Sequence, residues 1–186
     1  PFVLDQGKGR AKWKPENYGK KFYGPSTLRK GIENSRNLMT IRIAQYLGMD
    51  RITELANRTN IMSNMSPVLS MALGAGETSL IKLTSAYAAL ANGGKKVEPS
   101  LIDRIQDRRG KNIFILDQAI CENCNKPYTQ EDSKPKIIDK SEIIFDEVNA
   151  YQMVSILKGA VDRGTGRKTK IEGLEIAGKT GTTNNN

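Results

Sequence analysis

Apolar residues recur three and four positions apart through the first half of the chain. Leu28 and Ile32 share one face of a short helix that Pro25 opens and that ends near Asn34. Leu38, Ile41, Ala44 or Gln45, and Leu47 form a stronger stripe, closed by Gly48 at a C-cap position. Met49 or Asp50 begins a further helix reaching about Arg58, with Ile52 and Leu55 inward. Residues 66–76 carry Pro67, Gly74 and Gly76 and read as loop and short turns. Thr78 or Ser79 then caps a helix through Leu90, with Leu80, Leu83, Tyr87 and Leu90 or Ala91 inward, and Asn92-Gly93-Gly94 stops it. The period now changes. Leu101–Asp107 and Asn112–Leu116 alternate around Arg108-Arg109-Gly110, the pattern of a β-hairpin. Asp146 caps a long helix to about Asp162, with Val148, Tyr151, Val154 or Ser155, and Leu157 inward, and Gly164-Thr165-Gly166 ends it. The stretch Leu174–Thr183 predicts a last strand.

Helices, then a hairpin, one long helix and a strand predict an α+β fold with an antiparallel sheet. Residues 1–116 supply a helical part plus the hairpin, 117–145 a polar insertion containing Pro127 and Pro135, and 146–186 the long helix and last strand.

The last strand concentrates chemistry. Alternation puts Lys179 and Gly181 on one face and Thr180 and Thr182 on the other. Glycine within a strand often marks close approach of another group to the backbone. A cation, two hydroxyls and bare backbone suit an anionic, peptide-like ligand lying along a strand edge. The same residues satisfy the phosphate-loop pattern from Gly173 to Gly178-Lys179-Thr180, but that loop needs a helix opening directly after it. Gly-Thr-Thr-Asn-Asn-Asn follows instead. The rival reading is the Lys-Thr-Gly box of serine acyl-transfer enzymes, which requires a strand. An ordinary strand with a solvated lysine is the third. Upstream, Ser35-Arg36-Asn37 forms a polar turn between two helices; either Ser35 or Asn37 also suits a plain N-cap.

Composition narrows the field. With 38% hydrophobic and 6% aromatic residues in 186, the core is largely aliphatic. No apolar run approaches the roughly 18 residues of a membrane span, and the start has no signal-peptide pattern. The net charge of +9 is scattered apart from Lys8–Lys14 and Lys20–Lys21, so it reads as solvated surface rather than a nucleic-acid site. There is no histidine, which excludes His-based triads and His metal sites within these residues. Cys121 and Cys124 form one CxxC pair in a polar loop. One pair does not complete a four-ligand zinc site, leaving a local disulfide first and two free thiols second. The first and last residues read as the edges of a piece of a longer protein.

Taken in order, the motifs resemble the penicillin-binding proteins, the serine D,D-transpeptidases of bacterial cell-wall synthesis, and the bifunctional class A members in particular. The resemblance rests on Trp13-x-Pro15-x-Asn17-Tyr18, Gly24-Pro-Ser-Thr-Leu-Arg29, Asn34-Ser-Arg-Asn37, Ala72-Leu-Gly-Ala-Gly-Glu77, Ala86-Tyr-Ala-Ala-Leu-Ala-Asn-Gly-Gly94, Gly164-Thr-Gly166 and Ala177-Gly-Lys-Thr-Gly-Thr-Thr183. It covers most of the chain outside 117–145. It implies a penicillin-binding-protein/serine β-lactamase-like transpeptidase fold, incomplete in this chain. It implies peptidoglycan stem peptides and lipid-linked precursors as partners, β-lactams as substrate mimics, no cofactor or metal, no nucleic acid, and a membrane role only through an N-terminal anchor outside these residues. The place of action would be the periplasmic face of the bacterial inner membrane. Lys179 would supply positive charge near the nucleophile, Thr180, Gly181 and Thr182 would receive the substrate, Ser35 would relay a proton, and Asn37 would hold a substrate amide.

One departure stands against that pattern. The family's nucleophile lies in a Ser-x-x-Lys box ahead of the Ser-x-Asn turn, and nothing between Pro1 and Ser35 fits it. Ser79-Leu-Ile-Lys82 and Ser155-Ile-Leu-Lys158 match, but both follow Ser35 and read as chance. The expectation is a transpeptidase parent whose nucleophile lies outside this chain, and a chain that is inactive alone. A D,D-carboxypeptidase or β-lactam-hydrolysing relative, a phosphate-loop nucleotide binder and a basic interaction domain are the alternatives.

Overall fold

The computed structural model describes residues 2–3, 12–116, 120–122, 136–139 and 141–181. Helix α1 spans Leu28–Glu33 and starts three residues after Pro25, the residue expected to open it. Its first turn is set by Thr27, whose Oγ1 accepts from the Lys30 N–H. Helix α2, Asn37–Leu47, buries Leu38, Ile41 and Ala44 as the pattern predicts, whereas Leu47 at its end is largely open. Gly48, at φ 85°, ends α2 and begins α3, Met49–Arg58. That sharp join needs a residue tolerant of positive φ. In α3 the buried residue is Ala56 rather than Leu55. A 3₁₀ turn, Leu69–Leu73, packs against α2 within the expected loop.

Helix α4, Leu80–Ala91, is capped by Ser79, whose hydroxyl accepts from the Lys82 N–H. Its expected inward stripe is not buried: Leu80 is 80% exposed, Leu83 and Tyr87 are open, and Ala89 is the buried position. The helix packs against α5 with Ala89 buried and its larger apolar side chains turned outward. The hairpin forms where predicted, β1 Arg104–Gln106 against β2 Asn112–Ile115, antiparallel, with Ile105 opposite Phe114. Asp107 shapes the turn by accepting from the N–H groups of Arg109 and Lys111, and Gly110 adopts φ 80°. Within the polar stretch after it, β3 Ile120–Glu122 pairs antiparallel with β4 Lys136–Ile138, with Cys121 opposite Ile137 in the register. Cys124 lies outside the described residues. The chain returns along Gly94, which accepts from the N–H groups of Ile144 and Phe145.

Helix α5, Glu147–Asp162, opens on Asp146, whose carboxylate accepts from the N–H groups of Val148 and Asn149. The face it buries is Ala150, Ile156, Leu157, Gly159, Ala160 and Val161. The expected Val148 and Tyr151 are instead 61% and 74% exposed. Small residues decide the orientation, because Ala150, Gly159 and Ala160 let α1 and α4 approach closely. The core therefore lies between α1, α2, α4 and α5.

The predicted last strand is a correction. Residues 174–181 form no ladder, and Thr182 and Thr183 lie outside the described residues. A strand exists only against a neighbour, and both described sheets are two-stranded and closed within their own hairpins. The segment is tied to α5 instead, by Gly178 N–H donating to Leu157 C=O at 3.2 Å and by Lys158 pairing with Glu175. The architecture is α+β: helices with small antiparallel hairpins.

Candidate active site

Ser35 sits between α1 and α2 with φ 52°, a left-handed conformation uncommon for serine, and its N–H donates to Ile32 C=O at 3.0 Å. Neither Ser35 nor Asn37 acts as a helix cap. Arg36 occupies the cap position of α2 without a side-chain bond. The capping acceptor comes from the Trp13–Tyr18 loop: Oδ1 of Asn17, 8% exposed, accepts from the Leu38 N–H at 3.2 Å. Asn17 Nδ2 donates back to Lys21 C=O. A side-chain cap of this kind contributes about 1 kcal/mol. Asn37 Nδ2 donates to Glu16 C=O at 3.0 Å, so the same loop clasps the turn twice. Arg36 stacks over the Tyr23 ring, beside a hollow of about 540 Å³ lined partly by Phe22, Met39 and Arg42. None of Ser35, Asn37, Lys179 or Thr180 lines it.

The second half of the site follows α5. Thr165 N–H donates to Glu33 C=O at 3.1 Å, and its hydroxyl lies 2.7 Å from that of Thr180. Lys179 Nζ donates to Thr180 C=O at 3.0 Å and to Thr180 Oγ1 at 3.2 Å. Burial lowers the Lys179 pKa below the ordinary lysine value. Glycines 178 and 181 have open space where a Cβ would stand. The result is a cation and one hydroxyl on a short segment with two glycines open at the Cβ position, and a second hydroxyl, that of Thr165, brought beside them from the loop after α5.

A connection joins the halves. Glu33, two residues before Ser35, is 4% exposed, and its carboxylate accepts from Arg163 Nε at 2.9 Å and from Arg163 Nη2. Arg29 pairs with the same carboxylate and donates to the carbonyl and hydroxyl of Ser155. The end of α1, two residues before Ser35, is thus tied to Thr165 and through it to Thr180. Thr182 lies outside the described residues.

The competing motifs resolve locally. Gly178 N–H is spent on Leu157, and no helix opens within 174–181, so the phosphate-loop pattern lacks its cradle among the described residues. Ser79 is a helix cap and Ser155 an acceptor for Arg29, which gives both Ser-x-x-Lys serines structural work. Sequence reasoning placed Asn17 and Thr165 in motifs without giving them a role, and missed Glu33 and Arg163. One signal was present: Gly159 in mid-helix and Gly164 just beyond it, where glycine marks close backbone approach. A Cβ on Gly159 would meet the Glu33 carboxylate at 2.0 Å, and one on Gly164 would meet Glu33 C=O at 2.1 Å.

Comparison with known proteins places this geometry in context. The penicillin-binding protein transpeptidase domain family matches residues 3–186. Penicillin-binding protein 1A of Rickettsia conorii is 45% identical over 186 residues, covering 99% of this chain and 24% of that protein. The crystal structure of penicillin-binding protein 1A from Haemophilus influenzae superposes with a TM-score of 0.77 at 30% identity, over 99% of this chain and 30% of that one. The D,D-transpeptidase domain of a peptidoglycan glycosyltransferase from Eggerthella lenta shares the fold, with a TM-score of 0.67 at 19% identity, over 47% of its length. The chain spans about a quarter of the length of the curated relatives it matches.

Proposed function

Since the chain belongs to the penicillin-binding protein transpeptidase family, we propose that it supplies part of the active site of a peptidoglycan D,D-transpeptidase. A serine in a Ser-x-x-Lys box, outside this chain, attacks the D-Ala-D-Ala carbonyl of a stem peptide. The serine proton passes to the departing D-Ala nitrogen as the C–N bond breaks. An amine from a neighbouring stem peptide then attacks the ester, loses a proton and returns the serine hydroxyl. Ser35 relays the proton, and Lys179 stabilises negative charge near the nucleophile. Asn37 holds a substrate amide. Thr180 and Thr182 hydrogen-bond the substrate carboxylate, and the peptide backbone lies along Gly181 as an added strand. The Thr182 N–H is one oxyanion donor, a type whose loss costs roughly 10²–10³ in rate. Lipid-linked precursors carry the stem peptides on the periplasmic side of the inner membrane, and β-lactams trap the acyl-enzyme.

The observation that carries this reading is the Lys179–Thr180–Thr165 cluster joined to the Ser35 turn through Glu33. The domain division into 1–116, 117–145 and 146–186 belongs to the same proposal. Intact mass after incubation with a penicillin tests it. A full-length protein carrying this segment should gain one covalent adduct, and the 186-residue chain should gain none. An adduct on the chain at Ser79 or Ser155 would overturn the motif order. Absence of any adduct on the full-length protein would return the choice to a basic interaction domain. An adduct that hydrolyses rapidly would favour a carboxypeptidase or β-lactam-hydrolysing enzyme.

A further inference from the structure

We propose that Glu33 is a positioning residue that sets the register between the Ser35–Asn37 turn and the Thr165–Thr180–Lys179 cluster. The inference rests on the transpeptidase reading and deepens it. Two separate parts of Glu33 reach the second half of the site. Its backbone carbonyl accepts from Thr165 N–H at 3.1 Å, and the Thr165 hydroxyl is 2.7 Å from Thr180 Oγ1. Its carboxylate takes two N–H groups of Arg163, the residue before Gly164-Thr165-Gly166. A paired guanidinium and carboxylate fix orientation as well as distance, because two parallel bonds define a plane.

The surroundings leave this pair no freedom to slide. Arg29, one turn earlier on α1, pairs with the same carboxylate and reaches across to the carbonyl and hydroxyl of Ser155 on α5. Gly159 and Gly164 lie against Glu33, where any side chain would collide with its carboxylate or its carbonyl. Gly166 N–H donates to Ala160 C=O at 2.9 Å, so the loop carrying Thr165 is fastened to α5 on its far side too.

Stability alone is a poor reason for such a buried carboxylate. Apolar residues of similar volume often hold two helices equally well, whereas an ion pair is directional. What the charges add here is a fixed position of α1's end relative to the loop after α5. Ser35 hangs from the first and Thr180 with Lys179 from the second. Acyl transfer is sensitive to that distance, since a misplacement of about 1 Å costs up to roughly 10²-fold in rate.

The test uses a full-length protein carrying this segment, with penicillin as the probe. The acylation rate constant at saturating penicillin is measured per titratable active molecule, beside the half-saturating concentration and the melting temperature. Glu33→Gln should lower that rate constant about 10-fold, with the half-saturating concentration changed much less. Arg163→Lys keeps the charge but loses the paired geometry, and should give a smaller loss. Glu33→Gln that melts earlier or yields fewer active molecules, yet acylates at the wild-type rate per active molecule, would overturn the proposal and leave the transpeptidase reading standing. If Glu33→Gln does not fold, Arg163→Lys at the wild-type rate overturns it equally. A wild-type protein that penicillin does not acylate removes the transpeptidase reading and this inference together.

Discussion

The junction of α1 with α5 and the apolar side chains of α4 and of the β1–β2 hairpin follow opposite plans. At the junction a charged side chain is buried, and every group facing it is matched: Glu33 with Arg163 and Arg29, its carbonyl with Thr165, and Gly159 and Gly164 shaped to fit. On α4 and on the hairpin, each taken by itself, the opposite holds. Leu80, Ile81, Leu83 and Tyr87 lie open, as do Ile105, Ile113 and Phe114. Exposed apolar surface of this extent usually marks a contact with more protein. The difference separates two ways of holding a structure. The site-bearing half is specified by direction, through hydrogen bonds and close backbone contact that its own residues complete. The apolar side chains of α4 and the hairpin have no such directional partners among the described residues.

Substitutions test that contrast, beginning with the largest effect. Ile41 on α2 is fully buried just after the Ser35 turn, so Ile41→Ala should destabilise by about 2–5 kcal/mol. Chemical denaturation reads it, and a loss within error would contradict a closed core beneath the site. Gly164→Ala forces a methyl against Glu33 C=O and should cost about 1–3 kcal/mol, visible as an earlier thermal transition. An unchanged transition would mean that α1 and the loop after α5 are loosely joined. Leu80→Gln, on the open face of α4, should alter stability by within about 0.5 kcal/mol in the 186-residue chain. Made in a full-length protein, the same change should cost several times more if further chain covers that face, which sharpens the comparison.

The smallest effect concerns pH. Burial lowers the Lys179 pKa, so the unfolded chain binds more protons between that lowered value and the ordinary lysine value of about 10.4. The Lys179 contribution to stability therefore rises with pH across this window. Wild type should gain on Lys179→Met as pH climbs from neutral towards that value, with melting followed at each pH. A constant difference would mean that the ammonium is fully solvated.

The residues proposed for the site were legible before the fold only as local patterns. Ser35, Asn37, Lys179 and Thr180 are short-range features, a polar turn between helical stripes and a glycine-flanked lysine, and such local patterns survive in one dimension. Asn17 was visible as part of a motif but not as the cap of α2, because its partner Leu38 lies 21 residues on. Glu33 looked like any polar residue on a short helix. Its pairing with Arg163 spans 130 residues, and no periodicity reports on a contact of that range.

Local signals in the sequence specify the helices, the N-caps Ser79 and Asp146 and the hairpin, since hydrogen bonds between neighbours and apolar spacing act within a few residues. The sequence also determined the family, through motifs held in order along most of the chain. Tertiary structure decided which face of each helix is buried. In α5 the faces with the larger apolar residues Val148 and Tyr151 lost to the small residues Ala150, Gly159 and Ala160, because close packing rewards complementary shape over side-chain size. It also decided that residues 174–181 carry no ladder: strand propensity is local, but a strand's hydrogen bonds belong to its neighbour.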